Sequence, residues 1–136
     1  MILLVGVFVG FTAAALAWLE EHGVHLKRSI TDKLIDGNID NMNVAWLFFS
    51  GTSIVAVLIA SSMTVLWAPG ATGSGVAELI AYLNGVNYPN LFGFKTFITK
   101  FFGVTLAVIG GLIVGKEGPL AHIGANIGAF VTFIPI

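Results

Sequence analysis

Residues 44–78 read VAWLFFSGTSIVAVLIASSMTVLWAPGATGSGVAE, running from Val44 to Glu78 with no ionisable side chain between its ends. The apolar part exceeds the roughly 18 residues that mark a membrane-spanning helix, so a span is predicted over about 44–68. It stops at Pro69, and Gly70, Gly73 and Gly75 reset the backbone before apolar sequence resumes. A second helix, predicted over about 76–84, has a length of roughly 15 Å at about 1.5 Å per residue, half of a hydrocarbon thickness of about 30 Å. It reaches only partway through. The stretch therefore predicts an all-α membrane protein built from broken helices.

The rest of the chain agrees. Met1 to Leu19 is uncharged, giving a predicted span over about 1–19. A third is predicted over about 97–115, flanked by Lys95 and Lys100, and a fourth over about 119–136, where His122 is the one ionisable group. Hydrophobic residues make up 57% of the chain and charged residues 10%, against a soluble norm of about 25% charged. A buried core of a soluble domain fits that composition poorly. The first stretch lacks a basic residue before its apolar part, and Trp18-Leu19-Glu20-Glu21 is a poor cleavage site, so it is expected to be a retained helix rather than a secretory signal. There is no cysteine, which excludes disulfides and thiolate metal sites. A net charge of −1 without a basic run argues against a nucleic-acid partner.

Charge is concentrated between Glu20 and Asp40, and residues 20–43 are expected to form a polar aqueous connection between two spans. Lys27, Arg28 and Lys33 weakly favour a cytoplasmic side for it. Asn84-Gly85 and Tyr88-Pro89-Asn90 read as turns. Gly115 and Gly118 are expected to end the third span, with Pro119 at the first position of the next helix, where its missing N–H costs nothing. Gly6 and Gly10, and Gly124 and Gly128, have the spacing that lets membrane helices approach closely.

Two helix starts are thus expected near apolar depth, and a helix start attracts anions through unpaired amides and the macrodipole. At the first, Gly73, Ser74 and Gly75 expose backbone N–H groups, and Ser74 adds a hydroxyl; Ser74 could equally serve as a cap of the helix. At the second, the run Gly111-Leu-Ile-Val-Gly-Lys-Glu-Gly-Pro119 places Lys116, Glu117 and Gly118 ahead of a helix whose amides around Gly118, Leu120 and Ala121 point back toward it. Deprotonated, Glu117 would compete with an anion for those donors; protonated, it would lose its charge and withdraw, which makes a gate. The alternative is a Lys116–Glu117 ion pair that stabilises a helix end.

Other glycine-rich readings fail. Gly110 to Lys116 approximates a phosphate loop, but Glu117 replaces the magnesium-binding hydroxyl and no strand precedes it. Gly73-Ser-Gly75 begins a dinucleotide fingerprint, yet Glu78 occupies the third glycine position. His22 and His25 read as solvated, and His122 as a structural hydrogen-bond donor in preference to a proton relay. No paired carboxylates, nucleophile with a base, or metal-ligand spacing is visible, so an enzyme, a metal site and a cofactor are not expected.

At these residues the sequence resembles the CLC family of voltage-gated chloride channels and chloride/proton exchangers. Gly73-Ser74-Gly75-Val76-Ala77-Glu78 is similar to the family's G-S-G-I-P-E, and Gly115-Lys116-Glu117-Gly118-Pro119 matches a second signature; Tyr82-Leu83-Asn84-Gly85-Val86 and Phe94-Lys95-Thr96 support them. The resemblance implies that the chain is part of the first of two inverted repeats with tilted, broken helices. It implies a central anion site at Ser74 with the Gly73 and Ser74 amides, an outer site at the amides of Lys116, Glu117 and Gly118, and Glu117 as the gating and proton-handling carboxylate. Chloride and protons in a lipid bilayer, and a homodimer of the full-length protein, are implied as partners. Gly37-Asn38-Ile39-Asp40 and Tyr82 to Gly85 resemble the eukaryotic intracellular branch, which implies a vacuolar, lysosomal or endosomal membrane and turns the 20–40 connection to the lumen.

One departure is Ala77, where the family usually has proline; alanine keeps the helix but adds an N–H. Ser74 in place of proline implies chloride rather than nitrate. The family's second-half motifs are absent from these 136 residues, so the chain is expected to be a fragment that cannot enclose an anion by itself. The competing expectation is a mature non-transporting membrane scaffold or assembly partner.

Overall fold

The structure, a computed structural model, describes residues 2–35, 42–86, 88 and 91–132. Among these, all regular structure is helical: α1 (Ile2–Ile35), α2 (Met42–Ser62), α3 (Val76–Leu83), α4 (Phe94–Ile109) and α5 (Glu117–Thr132). A π-helical turn, Met63–Trp67, extends α2, and a 3₁₀ turn, Pro69–Ala71, follows it.

α1 and α2 with its extension are long and apolar enough to cross a bilayer, and only 6% and 11% of their most apolar windows are buried within the protein. Helices of a soluble core would be hidden. Here Ile2, Phe11, Trp46 and Leu66 stand exposed, an apolar surface suited to lipid.

The expected polar connection over 20–43 is corrected. α1 continues through it to Ile35, because its charges are sorted onto faces. Leu16, Glu20 and Lys27 are buried, while Glu21, Arg28 and Ser29 are exposed. Glu20, Gly23 and Lys27 follow Leu16 at 4, 7 and 11 residues, one helical face. The Lys27 ammonium donates to Ser53 Oγ at 2.5 Å and Ile109 O at 3.1 Å, and lies 3.9 Å from the Phe49 ring centre. It therefore ties α1 to α2 and to the carbonyl end of α4, where a cation is favoured. At 34 residues and about 1.5 Å each, α1 is about 51 Å long, so it tilts or projects beyond the hydrocarbon. The Gly37 to Asp40 segment lies outside the described residues.

The third span was expected to end at Gly115 and Gly118. Instead α4 ends at Ile109, and Gly111 takes the left-handed conformation with φ +88. Leu112 N–H donates to Ala107 O at 3.0 Å and Gly111 N–H to Val108 O at 2.9 Å, the paired bonds that close a helix around a glycine. α3 ends the same way: Val86 N–H donates to Ala81 O, Gly85 N–H to Tyr82 O, and Gly85 has φ +89. The Asn84-Gly85 turn is as expected; Pro89 and Asn90 lie outside the described residues.

α4 has 16 residues, roughly 24 Å, shorter than the expected 97–115, and of the expected 119–136 the described part, to Thr132, is helical. Helix α5 begins at Glu117, so Pro119 is its third residue instead of its first. Its missing donor still falls within the first turn, where amides lack intrahelical acceptors.

The core lies where α1, α4 and α5 meet: Leu16, Ile123 and Ile127, flanked by Val9, Phe97 and Phe101. Close approach is set by other glycines than expected. Gly6, Gly10 and Gly128 have open space where a side chain would stand, and at Gly124 the contact with Val9 is ordinary. A Cβ on Gly23 would lie 2.3 Å from Ile109 Cδ1, and one on Gly110 2.8 Å from Val57 Cγ2.

Candidate anion site at two converging helix starts

The break between α2 and α3 forms the first half of the site. Gly73 and Gly75 both have positive φ, +64 and +78, which lets the chain fold back at Ser74 and enter α3. Ser74 Oγ accepts from Val76 N–H at 3.4 Å, at the long end for a hydrogen bond. The exposed hydroxyl therefore touches the helix start, as a cap would, and keeps its own O–H to donate.

Behind this loop lies Lys100 of α4, 4% exposed. Its ammonium donates to Ala71 O at 3.0 Å and Gly73 O at 2.6 Å. Carbonyls that would repel an anion are thus paired with a cation, leaving Ser74 and the following amides as the groups presented. No carboxylate among the described residues lies within ion-pair distance of Lys100. Two carbonyl dipoles meet the ammonium directly, and the Glu78 carboxylate acts on it from beyond ion-pair distance. Sequence reading treated Lys100 as a flank of a span; a single lysine followed by fifteen uncharged residues, Phe101 to Gly115, was the available signal.

The second half is the start of α5. Leu120 N–H donates to Lys116 O at 3.0 Å, so Leu120 is not a free donor as expected, and the unpaired first-turn amides are those of Glu117 and Gly118. Glu117 is exposed. Lys116 forms an ion pair with Glu20 of α1. Among the described residues Lys116 has no ion pair with Glu117.

The two starts touch. A Cβ on Gly118 would lie 2.7 Å from Ser74 Cβ, and one on Gly75 would lie 2.1 Å from His122 Nδ1 of α5. An open cleft of about 570 Å³ is lined from one side by Gly73 and Ser74 and from the other by Gly115 and Pro119, with Thr99 and Lys100 between. Thr99 Oγ1 is buried without a hydrogen-bond partner among the described residues. Gly75, Lys116, Glu117 and Gly118 are adjacent to the cleft but do not line it. Gly75 is covered by His122.

Polar contacts hold this junction. His122, 1% exposed, places Nε2 2.9 Å from Leu91 O. Because a carbonyl only accepts, the proton is assigned to Nε2 and Nδ1 is left as an acceptor facing Gly75. Asn126 accepts from Gly93 N–H and donates to Gly93 O, both at 3.1 Å. These clamps fix the entrance to α4 against α5. The histidine has the structural role expected of it; Asn126 gave no sequence signal beyond being polar in an apolar helix.

Two helices able to span a bilayer, and two helix starts that meet at a cleft holding one buried lysine, make the arrangement of a membrane protein. Comparison with known proteins agrees: residues 54–134 match the family described as voltage gated chloride channel. The chain belongs to this family. It is 38% identical over 128 residues to chloride channel protein CLC-a of Arabidopsis thaliana, covering 94% of this chain and 16% of the relative. It is 48% identical over 81 residues to CLC-b of the same plant, covering 60% of this chain and 10% of the relative. With the human H(+)/Cl(−) exchange transporter 7 it shares 34% identity over 135 residues, 95% of this chain and 16% of that protein. The chain thus spans about one sixth of the length of these relatives.

Proposed function

We propose that this chain supplies one wall of a chloride pathway in a membrane transporter, either a voltage-gated channel or a chloride/proton exchanger. The observation that carries the reading is the abutment of Gly118 on Ser74, which brings two helix starts to one cleft. An anion there meets the Ser74 hydroxyl and the amides of Gly73 and Ser74, while the amides of Lys116, Glu117 and Gly118, beside the cleft, form a second, outer site. Lys100 supplies a fixed positive charge behind the first group. Electrostatic attraction at helix starts holds the ion without bond formation, so no covalent chemistry is required. Glu117, in the first turn of α5, is the gate: its carboxylate competes with chloride for the same donors and leaves when protonated.

The complete gene product, as a homodimer, is assigned to an intracellular organelle membrane of the vacuolar or lysosomal kind. That placement rests on the motif resemblance. The test is chloride efflux from vesicles reconstituted with the complete gene product. Efflux that falls in Ser74→Ala supports the reading, and wild-type protein that moves no chloride overturns it.

A further inference from the structure

Glu20 is the most completely buried acid among the described residues, 2% exposed, on the half of α1 that composition marks as polar. Burial of an ionised carboxylate is unfavourable unless an opposite charge faces it. Here Oε2 meets the Lys116 ammonium, and Oε1 has no hydrogen-bond partner among the described residues. Lys116 is different, with its side chain 48% exposed. It stands between Gly115, which lines the cleft, and Glu117. Its carbonyl caps α5 by accepting from Leu120 N–H. The pair therefore links α1 to the residue just ahead of the second anion-facing helix.

We propose that Glu20 is a positioning residue of the anion pathway: by anchoring and neutralising Lys116, it makes the start of α5 attract anions through its amides and not through a mobile lysine charge. The inference rests on the anion-pathway reading. Without Glu20, the half-exposed ammonium is free to turn toward the cleft or toward Glu117, and a full positive charge is added at the mouth. The two groups then act as one electrostatic unit, and their removal must be non-additive.

The experiment measures chloride flux against chloride concentration for the complete gene product in vesicles, comparing wild type, Glu20→Gln, Glu20→Asp, Lys116→Met and the Glu20→Gln/Lys116→Met pair. The expected result is a half-saturating chloride concentration lowered about threefold or more in Glu20→Gln, with maximal flux little changed. Glu20→Asp, which keeps the charge, stays near wild type, and Lys116→Met in the Glu20→Gln background abolishes the shift. A purely structural pair would instead lower maximal flux and folded yield together, with half-saturation unmoved, and would overturn the inference. So would a Glu20→Gln shift that persists after Lys116→Met. If wild-type protein carries no chloride, the pathway reading itself fails, and this inference falls with it. Flux in the wild type with an unshifted Glu20→Gln fails this inference alone.

Discussion

Gly118 of α5 sits directly on Ser74, so close that a methyl group on Gly118 would lie 2.7 Å from Ser74 Cβ and 3.5 Å from its Cα. The neighbour there is the body of the loop rather than the end of a flexible side chain. Gly118→Ala must therefore push the two helix starts apart. Overpacking of this kind costs about 1–3 kcal/mol, and thermal unfolding in detergent should show it. Chloride flux should fall by more than the loss of folded protein explains, because the separation acts on the cleft itself.

Gly73 and Gly75 offer an internal comparison. Both have positive φ, but Gly73 has open space beside it, whereas a Cβ on Gly75 would lie 2.1 Å from His122 Nδ1. Gly73→Ala should cost only the left-handed backbone penalty, about 1–2 kcal/mol. Gly75→Ala adds a clash with a buried ring that is itself bonded to Leu91 O, and should leave little folded protein. Equal folded yields for the two variants would contradict the packing described.

Lys100→Met removes the buried cation and strands the carbonyls of Ala71 and Gly73, which now accept from it. Each stranded group costs about 1–3 kcal/mol. Chloride affinity should drop as well, since two carbonyl dipoles lose the charge that neutralises them. Lys100→Arg keeps the charge and should retain more affinity than Lys100→Met. Chloride titration of the two variants in the complete gene product checks the order.

Asn126 holds Gly93 through both its oxygen and its nitrogen. Asn126→Asp keeps the acceptor for Gly93 N–H but turns a second acceptor toward Gly93 O, and Asn126→Leu loses both bonds. Destabilisation of about 2–6 kcal/mol is expected for Asn126→Leu, from two unpaired backbone groups. Unfolding midpoints of the two variants relative to wild type measure it.

Much of this architecture was legible in the sequence because it depends on local signals. The uncharged run from Val44, its interruption at Pro69 and the short helix after Gly75 emerge within a residue or so of the observed α3, Val76–Leu83. The two helix starts were legible too, although the second begins at Glu117 and not at Pro119. What failed depends on partners distant in the chain. The charges of Glu20 and Lys27 read as solvated because their acceptors and counter-ions, Lys116 and Ile109 O, lie more than eighty residues on. Their spacing of seven on one helical face was the hint that α1 continues. The end of α4 was placed at Gly115 although Gly110-Gly111 stood earlier. An N–H pairing around Gly111 cannot be distinguished from any other glycine pair by composition alone. Likewise the glycines at Gly6 and Gly10 have the right spacing for close packing but no neighbour there, whereas Gly118 lacks such a pattern and meets Ser74 Cβ and Cα.

The most direct test of the account is simultaneous measurement of chloride and proton movement for Glu117→Gln in the complete gene product, reconstituted in vesicles. A glutamine cannot lose a proton or carry the competing charge. The account predicts that chloride still moves while gating is altered or proton coupling is abolished. Chloride and proton movement indistinguishable from wild type would contradict Glu117 as the gate at the α5 start.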